Sequence, residues 1–395
     1  MDLVLIGNLG CYSSSMSARP DRPSLATIAR DLSVSTATVS NAFNRPEKVS
    51  VELRARVLEH ARAVGYAGPD PAARHLRRGR SDVVGLVFTD DLAFAFEDPA
   101  ALAILSGVAE ACGAGGRNLL LLAGGPPTEN STAVSPVTTA AIDALIVYSV
   151  PDSDPHLLAG LERSLPVVVI DQPRDERRVD WVGLDDRVAA RELATQIAEL
   201  GHRRIGIVCT RLGASRYNGP VTEERRLQAT YAVQRERLAG FFEGLAAAGV
   251  ETSGVSVEER FLDSRESGAL ALDALLARDP SLTAVCCLAD VLALGVLDAA
   301  ERRGLRVPAQ LTVTGFDDIP ESQRAGLTTV QQPLAQKGRE AGRLILERLA
   351  RAGRPRAGDA ANRAHRPKRL VLPTVIQIRS SSGPAAKPDA PNLED

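Results

Sequence analysis

The sequence predicts two architectures in one chain: a short all-α unit at the N-terminus and a two-lobed α/β body of doubly wound parallel sheets. Between residues 25 and 64, apolar residues recur at helical spacing. From Asp82 onward, short apolar runs typical of buried parallel strands alternate with helical patterns. The chain has 395 residues, which is too long for a single sheet of this kind, so we expect two lobes.

The first predicted element is a pair of short helices joined by a tight turn. Ser24 and Ser35 each precede a helical pattern, as N-cap residues do. This is the layout of a helix-turn-helix, in which the start of the second helix enters the major groove of DNA. A helical hairpin inside a larger core is the alternative for this stretch taken alone. The outward residues of the second helix are small or hydrogen-bonding, as an approach to base edges requires: Thr36, Ala37, Ser40 and Asn41.

A third helix and a much shorter fourth helix follow. Ser50 is the predicted N-cap of the third helix, and Gly65 follows its end. Asp70 and Pro71 then begin a helix of about two turns, which we expect to form only when something else supports it. Apart from the cap, the charged residues of this segment are all basic: Arg74, Arg77, Arg78 and Arg80.

Five motifs of this region share one order and spacing. They are Ser-Thr-Ala-Thr-Val-Ser at 35–40, Asn44, Pro-Glu-Lys-Val-Ser at 46–50, Gly65-Tyr66, and Ala73-Arg74-His75-Leu76. In these motifs the chain resembles the LacI family of bacterial transcriptional regulators. The resemblance implies a helix-turn-helix DNA-binding headpiece at 22–67 and a hinge helix at 68–80.

The resemblance also implies which residues contact DNA. The family's base-reading positions fall on Thr36, Ala37 and Asn41, and its hinge leucine, here Leu76, is wedged into the minor groove of a palindromic operator. We therefore expect a homodimer that presents two headpieces to pseudo-palindromic double-stranded DNA. The full set of expected contact residues is Ser35, Thr36, Ala37, Thr38, Ser40, Asn41, Asn44, Arg74, Leu76 and Arg77.

The charge distribution supports this division of the chain. The formal net charge is −2, yet residues 19–80 carry twelve Arg or Lys against six Asp or Glu, a net charge of +6. A basic end on an acidic body is typical of a DNA-binding module joined to a part with another task.

The chain ends and the cysteines predict a cytoplasmic, nucleoid-associated protein with no membrane span. The apolar run near the N-terminus has Asp2 where a signal peptide has basic residues, and we expect residues 1–21 to be a disordered extension. The Pro-rich segment 380–395 is a predicted disordered tail. The five cysteines include no Cys-x-x-Cys pair and are expected to be reduced thiols: Cys11, Cys112, Cys209, Cys286 and Cys287.

Seven apolar runs predict the strands of the body, and six helical patterns separate them. The predicted strands are Val83–Phe88, Asn118–Leu122, Ala144–Tyr148, Val167–Ile170, Ile205–Val208, Ala284–Leu288 and Leu311–Thr314. The predicted helices lie at about 100–114, 155–163, 186–200, 223–248, 265–278 and 290–303.

The family resemblance continues through the body, for example in Arg-Leu-Ala-Gly-Phe at 237–241 and Gly-Phe-Asp-Asp at 315–318. It implies a periplasmic-binding-protein-like effector-binding and dimerisation domain at 81–379, in which three crossovers join two lobes around a ligand cleft. The expected crossovers lie near 182, near 331 and within 353–368. Lobe 1 is then expected at 81–182 and 331–352, and lobe 2 at 183–330 and 369–379.

In relatives, the arginine and the first aspartate of these motifs hold the effector, and here they are Arg237 and Asp317. A guanidinium beside a carboxylate suits a hydroxyl-rich or anionic small molecule. Asp171 and Asp185 follow predicted strands, where such folds bind ligands, and are further effector candidates. A helix cap or an exposed turn is the alternative for each aspartate.

The sequence departs from the family in ways that bear on the effector. Ala100 and Ala101 stand where many relatives have an aromatic pair. Phe94 and Phe96 lie slightly earlier, and either a stacking face for the effector or core packing would explain them. Ala289 replaces an asparagine that is often found in relatives. We expect a sugar, a nucleoside or a similar metabolite.

The sequence predicts no enzyme, metal or cofactor. It has no Gly-x-Gly-x-x-Gly after the first strand, no Walker loop, no Gly-x-Ser-x-Gly and no His-Glu-x-x-His. His202 follows a glycine at a helix end and is predicted to be structural. A sugar-binding protein without a DNA role is the remaining alternative, which the headpiece disfavours.

Overall fold

The computed structural model divides the chain into two compact units, one ending at Arg80 and the other beginning at Ser81. Most of the expected hinge helix, the expected N-terminal extension and the last ten residues lie outside the described residues. The structure describes residues 23–68, 80–88, 92–124, 134–352 and 366–385.

The N-terminal unit contains three helices, Leu25–Asp31, Thr36–Asn44 and Val51–Ala63, with a 3-10 turn at Pro46–Lys48. The predicted N-caps are confirmed, because each capping serine accepts a hydrogen bond from the amide three residues further on. The glycine predicted after the third helix has a φ of +71°. The helices enclose a small apolar core formed by Ile28, Ala29, Val39, Ala42, Val57 and Ala61.

The second unit contains two sheets, one in each lobe. The lobe 1 sheet has the strand order β12-β5-β4-β3-β1-β2, and the lobe 2 sheet has the order β13-β11-β10-β9-β6-β8-β7. In chain order, the strands are β1 Val83–Phe88, β2 Asn118–Ala123, β3 Ala144–Tyr148, β4 Val167–Ile170, β5 Asp180–Gly183, β6 Ile205–Cys209, β7 Gly219–Pro220, β8 Ser256–Glu259, β9 Ala284–Cys287, β10 Thr312–Asp317, β11 Thr328–Gln331, β12 Arg369–Val371 and β13 Val375–Gln377.

All seven predicted strands are present, and among the described residues the sheets are parallel except where β13 pairs with β11 and β7 with β8. The sequence interpretation missed β5, β7, β8, β11, β12 and β13. The strand β8 shows why, since it contains two glutamates that no apolar run would include. Glu258 and Glu259 are nevertheless buried, because Arg278 pairs with the first and Arg225 with the second.

The predicted helices are also present, with one division and one omission. The pattern at 223–248 is two helices, Glu223–Leu227 and Ala232–Ala247, and the missed helix is Leu334–Ala352. The other helices of the body are Leu92–Glu97, Pro99–Ala114, Pro136–Thr139, Pro155–Glu162, Asp186–Glu199, Arg265–Arg278, Asp290–Arg302 and Pro320–Arg324, with a 3-10 turn at Thr252–Gly254.

Three crossovers join the lobes, and the third is not where the sequence predicted it. The chain passes between the sheets after β5, after β11 and between β12 and β13. Residues 369–371 were expected in lobe 2, but they pair with β5 in lobe 1, so the third crossover lies at 372–374 rather than within 353–368.

The segment 380–385 also differs from the expected disordered tail, because it is hydrogen-bonded to lobe 2. Ser381 Oγ donates to the carbonyl of Val313 at 2.7 Å and accepts from the amide of Thr328 at 2.8 Å. His202, predicted to be structural, lies 2.9 Å from the Gly383 carbonyl through Nε2 and 2.9 Å from the Thr283 hydroxyl through Nδ1.

Glycines allow two helices of lobe 1 to pack closely. A Cβ atom on Gly107 would collide with the backbone of Leu334–Ala352, and one on Gly338 would collide with that of Pro99–Ala114. Over the ranges that the structure describes, no helix has the length and apolarity needed to span a membrane.

Candidate functional site

The outer face of the helix Thr36–Asn44 carries the residues predicted to contact DNA. Thr36 and Ala37 are exposed in its first turn, and Ser40 and Asn41 are half-buried one turn later. The side chains between them that turn inward belong to the apolar core. This face therefore presents small and hydrogen-bonding groups, as the sequence predicted.

Several of these residues also fix the geometry of the helix. Ser35 Oγ accepts from the Thr38 amide at 3.0 Å and lies 2.8 Å from the Thr38 hydroxyl. At the other end, Asn44 Nδ2 donates to the Ser40 carbonyl at 3.0 Å. Arg54 in the third helix donates through Nε to the carbonyl of Ala42 at 3.2 Å and so ties the two helices together.

The remaining predicted DNA contacts, Arg74, Leu76 and Arg77, lie outside the described residues. Their roles stay predictions.

In the second unit, a cavity of about 140 Å³ lies between the two lobes. Residues at the carboxyl ends of β1, β3, β4 and β10 border it, which is where open α/β sheets bind ligands. Three of the five predicted effector residues line this cavity: Arg237, Asp317 and Asp171.

Arg237 is almost fully buried, and its charge is balanced by the protein. Its Nε donates to Asp186 at 2.9 Å, and one terminal nitrogen donates to the Leu288 carbonyl at 2.6 Å. The same nitrogen lies 4.0 Å from Asp317, and the guanidinium lies 3.6 Å from the centroid of the Phe316 ring.

Asp317 ends β10 in a backbone conformation that non-glycine residues rarely adopt, with a φ of +130°. Its carboxylate accepts hydrogen bonds from the side-chain amide of Gln332 and, at 3.3 Å, from the Asp290 amide. Burial raises the pKa of Asp317 well above its usual value, and the nearby Arg237 opposes that rise.

Asp171 follows β4 and is held by a buried lysine. The ammonium group of Lys337 lies 2.6 Å from the Asp171 carboxylate and also donates to Gln332. Burial raises the pKa of Asp171, although Lys337 acts in the opposite direction. Trp181, the only tryptophan of the chain, donates through Nε1 to the Asp171 carbonyl at 2.9 Å.

The other two predicted effector residues do not line the cavity. Asp185 accepts a hydrogen bond from the Val188 amide at 3.3 Å and caps the helix that follows, which was the alternative interpretation. Phe96 has 54% of its surface exposed, and the side chain of Phe94 lies outside the described residues.

Sequence reasoning missed the aromatic wall of the cavity. Phe88 and Tyr148 pack edge to face, with ring centroids 5.7 Å apart, and both line the cavity. They end the predicted strands β1 and β3, so their position at the carboxyl edge of the sheet was the available indication. It also missed the polar residues Asp98, Asp263 and Arg211, which line the cavity as well.

The described part of the chain contains no group of three side chains arranged to hold a metal ion. Its four cysteines are buried and unbridged, as predicted for them, whereas Cys11 lies outside this part. Burial raises the pKa of Cys112 to about 11, which favours the unreactive thiol.

A helix-turn-helix unit joined to a two-lobed body with a polar cleft defines a class of ligand-controlled DNA-binding proteins. Residues 24–68 match the family described as bacterial regulatory proteins, lacI family, and residues 194–382 match a periplasmic binding protein-like domain. The helix-turn-helix (HTH) and body predicted from the sequence are thus confirmed.

Relatives of known class span most of the chain. An HTH-type transcriptional regulator of Mycobacterium tuberculosis is 46% identical over 326 residues, which cover 82% of this chain and 91% of the relative. The regulator IpsA of Corynebacterium glutamicum is 41% identical over 327 residues, with coverage of 82% and 91%.

Solved structures have the same fold. A LacI family regulator from Corynebacterium glutamicum superposes with a TM-score of 0.68 at 36% identity, covering 92% of this chain and 98% of that one. A complex of the regulator CelR with cellobiose gives a TM-score of 0.61 at 27% identity, with coverage of 91% and 100%. The chain belongs to the LacI family and is a DNA-binding transcriptional regulator controlled by a small-molecule effector.

Proposed function

We propose that this regulator is a repressor that binds a pseudo-palindromic operator as a homodimer, and that an effector in the interlobe cavity changes its affinity for DNA. The proposed base-reading residues are Thr36, Ala37 and Asn41, supported by their place on the outer face of a helix capped at both ends. Leu76 in the hinge is proposed as the minor-groove wedge.

Arg237, Asp317 and Asp171 are the proposed effector-binding residues. Each lines the cavity, and Gln332 and Lys337 hold the two carboxylates in fixed positions. Pre-positioned polar groups of this kind fix the orientation of a ligand in a cleft. CelR in its complex with cellobiose is a relative that binds a sugar, and we propose a sugar or a nucleoside for this chain as well.

The contacts that carry this proposal join the two lobes beneath the cavity. Gln332 lies in the second crossover, where its amide nitrogen donates to Asp317 of lobe 2 while its oxygen accepts from Lys337 of lobe 1. A ligand that binds Asp317 therefore acts directly on a segment that connects the lobes. We propose that this is how cavity occupancy reaches the hinge and the DNA.

Exposed leucines on both lobes support a homodimer. Leu102 and Leu120 on lobe 1 and Leu262 and Leu270 on lobe 2 each have between 39% and 53% of their surface exposed. Burying such side chains against a second copy is favourable at about 25 cal/mol per Å². Sedimentation analysis of Leu102→Glu and Leu270→Glu tests this, and dimers as stable as the wild type would contradict it.

We further infer that the cavity binds its ligand without turning it over and that the protein acts in the cytoplasm, where bacterial DNA lies. The charged groups of the cavity support this inference because they pair with one another, Arg237 with Asp186 and Lys337 with Asp171. Conversion of any bound sugar or sugar phosphate into a product would contradict it.

The experiment is enrichment of genomic DNA fragments by the full-length protein at low salt. We expect the enriched fragments to share a two-fold related sequence and to be released steeply as salt rises, because phosphate contacts release counterions. Thr36→Ala with Asn41→Ala should abolish the enrichment. Arg237→Met is the matched control, which should retain it and lose the effector response. Absence of sequence-selective enrichment by the wild type would contradict the proposal.

A further inference from the structure

The cavity between the lobes is richer in carboxylates than in cations. Four aspartates line it, against two arginines, Arg211 and Arg237. Asp171 and Asp317 already accept hydrogen bonds from protein donors. The other two aspartates come from opposite lobes: Asp98 precedes a helix of lobe 1, and Asp263 follows β8 of lobe 2.

Asp263 is the unusual member of this group. Its Oδ1 atom is shielded from solvent and has no hydrogen-bond partner among the residues that the structure describes. Burial, reinforced by Asp98, raises the pKa of Asp263 to about 8; Arg211 and Arg237 oppose that rise, and Asp290 adds to it. A buried acceptor without a partner costs about 1–3 kcal/mol, so a ligand that supplies a donor there gains binding energy.

The arginines of the cavity have other partners. Arg237 is balanced by Asp186 and the nearby Asp317, as described above. The guanidinium of Arg211 lies over the ring of Phe261 at 4.7 Å and over that of Tyr231 at 5.8 Å. A phosphate or carboxylate entering the cavity would therefore meet more negative than positive charge in a poorly solvated space.

The size and walls of the cavity limit the ligand further. A cavity of about 150 Å³ binds benzene, so the observed 140 Å³ encloses roughly one six-membered ring. The rings of Phe88 and Tyr148 provide an apolar surface for the faces of such a ring. A disaccharide or a nucleoside, each with two ring systems, exceeds this size.

On the basis of the proposed effector role of this cavity, we propose that Asp263 is its specificity-determining residue. Its carboxyl group accepts a hydroxyl hydrogen of an uncharged, hydroxyl-rich ligand of one ring, and together with Asp98 it rejects the phosphate esters of such ligands. The two carboxyl groups thus add a repulsive element to an otherwise permissive polar site, which is how specificity against a charged analogue is obtained.

The test uses the full-length protein and a panel of uncharged pentoses, hexoses and carbocyclic polyols, each paired with its phosphate monoester. Binding is measured by the rise in Tm and by the fluorescence of Trp181, which contacts the cavity wall through Asp171. We expect at least one uncharged member to bind and its ester to bind at least tenfold more weakly.

Asp263→Asn should then weaken binding of the uncharged ligand by about 10- to 100-fold, the range for losing a hydrogen bond to a charged group. It should also narrow the gap between that ligand and its ester, an effect that a purely structural role would not produce. Asp263→Ser is the second variant if the first fails to fold. Asp185→Asn, which alters a helix cap outside the cavity, is the matched control and should leave both affinities unchanged.

Three results would overturn the proposal: an ester that binds as tightly as its parent, an Asp263→Asn protein with unchanged discrimination, or a panel in which no uncharged member binds. The DNA enrichment experiment separates these results from failure of the proposed function. If enrichment succeeds while the panel fails, only the ligand assignment is lost. If a panel member binds without changing the affinity for DNA, the regulatory role of the cavity is lost.

Discussion

Replacing Lys337 by methionine tests how the wall of the cavity is held in place. The Lys337 side chain is only 1% exposed, and its ammonium group lies 2.6 Å from the Asp171 carboxylate. Methionine keeps a similar length and volume but removes the charge and the donors. The variant therefore leaves the Asp171 carboxylate buried without its cation.

The expected loss of unfolding free energy is about 3–5 kcal/mol, the range for removing one partner of a buried ion pair. Arg339→Met in the same helix is the matched control. Arg339 is 46% exposed and pairs with Glu110 at 3.3 Å. An exposed pair of this kind contributes about 0–1 kcal/mol, so the control should unfold almost as the wild type does.

Urea unfolding followed by the fluorescence of Trp181 measures both variants. The indole of this single tryptophan bonds to the Asp171 carbonyl, so it reports on the affected wall. Adding Asp171→Asn to Lys337→Met should recover part of the loss, because the two residues interact directly. A loss below about 1 kcal/mol for Lys337→Met, equal to that of the Arg339→Met control, would refute the reasoning.

Three further predictions concern the two units separately. Ser35→Ala should cost about 1 kcal/mol in thermal unfolding of the N-terminal unit, since it removes an N-cap, and an unchanged Tm would contradict this. Gly107→Leu should prevent stable folding of the body because its side chain meets the backbone of the facing helix, whereas Gly113→Ala, with open space at its Cβ, should be tolerated. Because the pKa of Asp263 is raised from 3.8 to about 8 on folding, its contribution to stability falls as pH rises between these values. Asp263→Asn should therefore raise Tm relative to the wild type more at pH 8 than at pH 5, and equal gains at both pH values would argue against it.

Local chemistry made much of the N-terminal unit predictable. The capping serines Ser24, Ser35 and Ser50 act on amides only three residues away, so the sequence alone contains the interaction. In the body, the rule that ligands bind at the carboxyl ends of parallel strands correctly brought Asp171 and Asp317 to one cavity.

The same rule could not separate neighbouring residues at a strand end. Asp185 and Asp186 are adjacent, yet the first caps a helix and the second pairs with Arg237, because the direction of each side chain is set by the packed helices. Phe96 points to solvent, while Phe88 and Tyr148 form the aromatic wall. Which aromatic residue faces the cleft depends on contacts between elements distant in sequence.

Long-range pairing also explains the missed elements. The strand β8 is polar in sequence, and its glutamates are buried only because arginines from other segments reach them. The helix Leu334–Ala352 has a mostly charged surface with a narrow apolar stripe, of which Leu344 and Ile345 are buried. Such a stripe indicates a helix only weakly until the opposing Pro99–Ala114 is known.

The most direct test of coupling between the cleft and the headpiece is a reciprocal binding measurement. Fluorescence anisotropy gives the Kd for an enriched DNA fragment with and without saturating uncharged ligand, and calorimetry gives the Kd for that ligand with and without the DNA. Coupling through the cleft requires both constants to change by the same factor, and Arg237→Met should bring that factor to one. A ligand that fills the cavity and leaves the Kd for DNA unchanged would contradict the coupling.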